Sequence, residues 1–176
     1  MLSVVIPVWS GTPVLEKMHI NLCKSVRSQC DELIVCEDGN PSDELSKLCD
    51  LYLIHETRYG HAKNLQSGID VAQGDYIGVL DSDVIIQQGS MRDLCISGRF
   101  VSATLLNQQT NPDVFYIWCS VADKYLYEEF PLPSTGEILD EWAKAIPKQL
   151  RVESDKVTYK HNIGIGYMEW KKVYGK

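Results

Sequence analysis

The sequence predicts an α/β protein: a mostly parallel sheet held between two layers of helix. Two observations carry that expectation. Short runs rich in Val, Ile and Leu recur through the first half, at Leu2–Val8, Glu32–Asp38, Leu51–His55 and Tyr76–Leu80. Each has the length and β-branched content of a buried strand. Between them lie segments whose apolar residues recur at the helical period. Strands alternating with helices of this size imply βαβ units, and so a three-layer sandwich.

Each element has a local reason. "LSVVIPV" is a buried strand, and "WSGTP" after it is a loop. Leu15, Met18, Leu22 and Val26 share a helical face, which predicts a helix over Val14–Arg27. "ELIVCED" is a second strand that ends on acids. The chain turns at Gly39-Asn40, and Ser42 is placed to cap a short helix. "LYLIH" is a third strand, followed by the loop "ETRYG". Ala62, Leu65, Ile69 and Ala72 mark a helix from His61 to Gln73, with Gly74 as the glycine that closes it. The fourth strand stops at Asp81-Ser82-Asp83, before Val84-Ile85-Ile86.

The second half changes character. Gly89–Ser97 reads as a short helix, and "RFVSATLL" and "VFYIWCSV" as two strands around the polar loop "NQQTNPD". "STGEILDEWAKAI" is a helix with Ile138, Leu139, Trp142 and Ile146 on one face. "RVESDKVTYKH" is a last strand. These elements extend the first sheet as a mixed one, so the 176 residues are expected to form a single domain.

The net charge of −7 gives no basic footprint for nucleic acid or an anionic membrane. No apolar run approaches the ~20 residues that cross a bilayer. The opening "MLSVVIPVWSG" lacks the basic region of a signal peptide. The six cysteines show neither CxxC nor a zinc spacing, which predicts free thiols in a cytoplasmic protein.

No GxGxxG follows the first strand, and no GxxxxGK[ST], GxSxG or HExxH occurs. Dehydrogenase, P-loop and α/β-hydrolase readings lose support accordingly. What remains are acids at strand ends: Glu37-Asp38 after the second strand, and Asp81 and Asp83 after the fourth. Ligands of open α/β sheets bind outside those carboxyl ends. Like charges there repel and resist desolvation, so they need a countercharge. A divalent cation supplies one, and carboxylate oxygens suit Mg²⁺ and Mn²⁺.

Three stretches, "VVIPVWS", "ELIVCEDGN" and "GHAKNLQSGIDVAQGDYIGVLDSDVII", together resemble the GT-A glycosyltransferases, close to family 2. The resemblance covers about the first 90 residues. It implies a nucleotide-binding half over residues 1–90 and an acceptor- and metal-completing half over 91–176. Val8 and Trp9 would line the base pocket, and Asp38 would accept a hydrogen bond from the base, most often uracil. His61, Lys63 and Asn64 begin the helix beside the diphosphate, where a helix N-terminus favours phosphate. Asp81 would lie near the ribose and the metal, Asp83 would ligate the metal, and His161 would add a further ligand.

Inverting family members carry Glu-Asp-x-Asp-Leu-x-x-Arg at a late helix. Here Glu137, Ile138, Leu139, Asp140 and Lys144 fall in that register, with Ile138 replacing the second acid. Glu137 and Asp140 are the base candidates, and retention stays open beside inversion. Ser134 and Glu137 also form a capping-box pattern.

The resemblance therefore implies a Mn²⁺- or Mg²⁺-dependent glycosyltransferase using a nucleotide-sugar, a UDP-sugar first, with an unidentified acceptor. A modified nucleic-acid base stays among the acceptor classes. Two other readings use the same residues. A sugar-nucleotide pyrophosphorylase or related nucleotidyltransferase needs a Gly-rich phosphate loop, which "VWSGTP" does not supply. A nucleotide-sugar-binding module without turnover is consistent with Ile138. Oligomeric state is not legible.

Overall fold

The computed structural model of the chain describes residues 1–56, 59–106, 115–133 and 139–162. Its strands are β1 (Leu2–Val8), β2 (Glu32–Asp38), β3 (Leu51–His55), β4 (Tyr76–Leu80), β5 (Val84–Gln88), β6 (Phe100–Leu105), β7 (Cys119–Asp123) and β8 (Arg151–His161). The helices are α1 (Pro13–Val26), α2 (Asp43–Ser46), α3 (His61–Val71), α4 (Lys124–Glu129) and α5 (Leu139–Ala145).

The strands form one 8-stranded sheet in the order β3-β2-β1-β4-β7-β6-β8-β5. β1 runs parallel to β2 and β4, β2 to β3, and β6 to β8. β7 is antiparallel to β4 and β6, and β5 to β8. This is the mixed α/β sandwich the sequence predicts. The pleat sorts β1 cleanly: Leu2, Val4, Ile6 and Val8 enter the cluster with α1 and α2, while Val5 enters the cluster with α3, α4 and α5. The strand order reverses at β1 and β4, which places a topological switch point between their carboxyl ends.

The helix starts follow from capping chemistry. Thr12 accepts from Leu15 N–H, with Pro13 in the first turn and Glu16 near the positive end of α1. Ser42 caps α2 in the same way. The buried face of α1 is rotated from the sequence expectation, because His19, 1% exposed, takes a core position and Met18 stays half-buried. His19 Nδ1 stands 3.1 Å from Ser10 Oγ, so this imidazole is buried with a partner.

That burial carries a pH dependence. Desolvation lowers the His19 pKa from 6.5 to about 4. The unfolded chain therefore binds a proton between those values that the folded chain refuses. The stability held by neutral His19 is complete above pH 6.5 and is lost as pH falls toward 4. Moving from pH 7 to pH 5 should cost about 2 kcal/mol at this residue. Urea midpoints at the two pH values should show the loss in wild type, and His19→Gln should flatten it. An unchanged slope in the variant would remove His19 as the cause.

Some elements differ from expectation. α3 ends at Val71, two residues before Gln73, and Ala72 turns extended. Gly74 is therefore not the closing glycine. It is where the chain meets β1, since a Cβ there would lie 2.6 Å from Ser3 N. In "VFYIWCSV" the strand begins only at Cys119, and it continues to Asp123. Within Gly89–Ser97 the helix is a single 3₁₀ turn, Met91–Leu94, opened by a Ser90/Asp93 capping box. The short helix α4 has no counterpart in the sequence reading. The capping-box pair Ser134 and Glu137 lies outside the described residues. No helix among the described residues is long and apolar enough to cross a membrane.

Candidate metal and nucleotide site

The acidic turn after β4 is held from three sides. Asp81 N–H donates to the Trp118 carbonyl at 2.9 Å, beside the Leu80–Cys119 cross-strand pair. Val84 N–H closes the turn onto the Asp81 carbonyl at 3.1 Å. The antiparallel β5·β8 pairing sets Val84 opposite His161, and Asn162 N–H donates to the Asp83 carbonyl at 3.0 Å. Two residues 80 positions apart in the chain, Asp81 and His161, thereby become neighbours.

The side chains converge. His161 Nε2 lies 2.7 Å from Asp83 Oδ1 and 3.9 Å from Asp81 Oδ2. One ligand atom from each of Asp81, Asp83 and His161 lies within 4.8 Å of the others. The three are only 13%, 16% and 7% exposed. Asp81 Oδ1 is buried and lies 3.2 Å from His61 Nε2, within ion-pair distance. At His61, burial pulls the pKa down, but the carboxylates of Asp81, Asp83 and Asp38 outweigh it and raise the value. When protonated, this imidazole supplies part of the countercharge that two crowded carboxylates demand.

Two carboxylate oxygens and an imidazole nitrogen fit a divalent cation of the Mn²⁺ or Mg²⁺ class, with the nitrogen favouring Mn²⁺. The convergence of the three largely buried ligand atoms within 4.8 Å of one another supports that fit. The sequence-derived trio Asp81, Asp83 and His161 is brought together, and His61 adjoins it through Asp81.

The ends of β1 and β2 build the adjoining floor. Val8, 3% exposed, packs in the core cluster. The Trp9 ring folds over Gly11, where any Cβ would lie 2.1 Å from Trp9 Cζ2. Asp38 is 8% exposed and accepts from Tyr59 N–H at 2.5 Å and Gly60 N–H at 3.2 Å. Gly39 and Gly60 flank this contact with φ of +105° and +83°, values that L side chains rarely adopt. Asp38 thus fastens the loop that leads into α3.

That loop carries residues the sequence reading passed over. Tyr59 stacks on His55 with ring centroids 4.1 Å apart, and Lys63 Nζ lies 4.0 Å from the Tyr59 ring centroid. Lys63 is exposed at the start of α3, one turn from Asp38's anchor. Asn64 is different: it is 2% exposed and donates to the Cys36 carbonyl at 2.7 Å. Its amide nitrogen thereby joins α3 to β2.

Beneath Trp9 a polar network fixes the first loop. Glu37, fully buried, accepts Ser10 N–H at 2.9 Å, and Tyr52 O–H donates to it at 3.4 Å. Ser10 in turn meets His19, and Ser42 N–H donates to the Tyr52 hydroxyl at 2.8 Å. Burial pushes the Glu37 carboxyl upward. The signal for this network was the first acid of "CEDG", read only as a strand end.

The base candidates are less described. Glu137 lies outside the described residues, and Asp140 lies in the first turn of α5 without a described side chain.

The profile of "Glycosyl transferase family 2" matches residues 3–95, over half of the chain. A curated relative, glycosyltransferase GlyG of Streptococcus pneumoniae serotype 4, is 27% identical over 103 residues, which is 53% of this chain and 34% of that protein. Among solved structures, residues 1–349 of Staphylococcus aureus TarS superpose with a TM-score of 0.69 at 16% identity, covering 91% of this chain and 60% of that one. The mannosyltransferase PcManGT of Pyrobaculum calidifontis, solved with GDP-Man and Mn²⁺, gives 0.66 at 15% identity, covering 97% and 59%. Glucosyl-3-phosphoglycerate synthase of Mycobacterium tuberculosis, solved with Mn²⁺, UDP-Glc and phosphoglyceric acid, gives 0.67 at 16% identity, covering 96% and 74%. The chain spans about a third of the curated relative's length and 60% of the TarS chain. The fold is that of the GT-A glycosyltransferases, and the chain belongs to glycosyl transferase family 2.

Proposed function

We propose that the chain transfers a sugar from a nucleotide-sugar, a UDP-sugar first, to an acceptor hydroxyl with inversion. The observation that carries this reading is the Asp81–Asp83–His161 cluster at the switch point of the sheet. The relatives solved with UDP-GlcNAc, UDP-Glc and GDP-Man support a nucleotide-sugar donor.

Asp81, Asp83 and His161 would hold Mn²⁺ or Mg²⁺, which when bound neutralises charge on the departing diphosphate. His61 keeps Asp81 oriented from the far side. Trp9 and Asp38 frame the base, with Glu37 and Ser10 fixing the loop beneath them. Lys63 and the N-terminus of α3 favour the diphosphate. Glu137 or Asp140 takes the proton from the acceptor hydroxyl, which requires hydrogen-bond reach to that oxygen.

Product analysis tests the reading. Incubation with UDP-sugars and an acceptor panel should release UDP, EDTA should stop the release, and Mn²⁺ should restore it. Pyrophosphate among the products would indicate nucleotidyl transfer instead. Nucleotide binding without release, for every donor tried, would indicate a binding module.

A further inference from the structure

Trp118 touches both halves of the metal cluster. It immediately precedes β7, so the pairing with β4 sets it beside Asp81, whose N–H it accepts. Its indole lies against the His161 imidazole, with centroids 4.2 Å apart and planes at 42°. Tyr116 packs against the same indole at 4.5 Å and 38°.

An imidazole turns about its Cβ–Cγ bond in a broad, two-fold well. A ligating nitrogen therefore needs neighbours that fix the ring plane, and such outer partners also control water access to the metal. An aromatic face against the ring does both. The backbone bond to Asp81 holds Trp118 in register with the acids, so the indole has a fixed position from which to act.

We propose that Trp118 is a positioning residue for the metal centre: its indole fixes the His161 ring so that Nε2 meets the cation held by Asp81 and Asp83. The inference rests on the reading of those three residues as ligands. It requires no contact between Trp118 and substrate. Trp118 also packs on the apolar core cluster, so the competing role is simple space-filling. The two roles differ in whether an aromatic ring is needed.

The test is calorimetric titration of MnCl₂ into the full chain, alone and with UDP, for wild type, Trp118→Phe, Trp118→Leu and Asp83→Asn. Thermal melts run alongside, and Trp118→Met replaces the leucine variant if the latter does not fold. Trp118→Leu should weaken Mn²⁺ binding about tenfold, while Trp118→Phe stays within about threefold of wild type. Wild-type affinity in Trp118→Leu would overturn the proposal, as would equal losses in the phenylalanine and leucine variants. If wild type binds Mn²⁺ and Asp83→Asn does not, the ligand reading stands however Trp118 behaves. If wild type itself binds no Mn²⁺, the ligand reading falls and this inference with it.

Discussion

Asp83→Asn should reduce sugar transfer by at least about 100-fold, since loss of an outer partner alone costs 10–100-fold at metal sites. The fold should survive. Asparagine keeps the shape and an acceptor oxygen for His161 Nε2, now 2.7 Å from Asp83 Oδ1. It also removes one of two crowded carboxylates, which relieves repulsion with Asp81. The melting temperature should therefore equal or exceed that of wild type, while UDP release falls and added Mn²⁺ does not restore it. A fully active variant would remove Asp83 from the site.

Phe100→Ala should have the largest effect on stability, about 3–5 kcal/mol. Phe100 is fully buried on β6. Its ring meets Tyr127 of α4 edge-on at 5.3 Å and Trp142 of α5 at 5.8 Å, with Phe130 at 6.4 Å. Tyr127 and Trp142 stack with planes 5° apart. Truncation leaves a cavity among the three remaining rings, Tyr127, Phe130 and Trp142, which hold α4 and α5 to the sheet. For a chain of this size the melting temperature should fall by roughly 6–20 °C. Activity should fall with it even at temperatures where the variant stays folded, because α5 carries Asp140. A loss below about 1 kcal/mol would show that the rings repack around the gap.

The first half was legible because its physics is local. Buried parallel strands read as continuous apolar runs, and α3 reads from the spacing of Leu65 and Ile69, both of which are buried. β1, β2, β3 and β4 fall on the residues expected. Misjudged positions are those where a tertiary partner decides. His19 enters the core because Ser10 is there to meet it, and periodicity alone selects Met18. Asn64 satisfies the Cys36 carbonyl, a contact that no spacing in the sequence shows. In the second half, "VFYIWCSV" is apolar throughout, which cannot say where pairing begins. Trp118 stands outside the strand and packs on His161.

The candidate metal site was legible in part for a similar reason. Asp81 and Asp83 sit in one motif, whereas His161 reaches them only through the β5·β8 pairing. The family resemblance placed His161 there, and the structure brings its ring to the acids. Its support from Trp118, and the approach of His61 to Asp81, depend on contacts between distant segments. No spacing in the sequence encodes those contacts.

The central claim is that the acids after β4 bind nucleotide diphosphate through a divalent cation. Titrating UDP into the protein with Mn²⁺, and again with EDTA, tests it most directly. UDP should bind at least about tenfold more tightly with Mn²⁺, because a cation held by Asp81, Asp83 and His161 would offset the charge of the diphosphate. Equal affinity under the two conditions would contradict the claim.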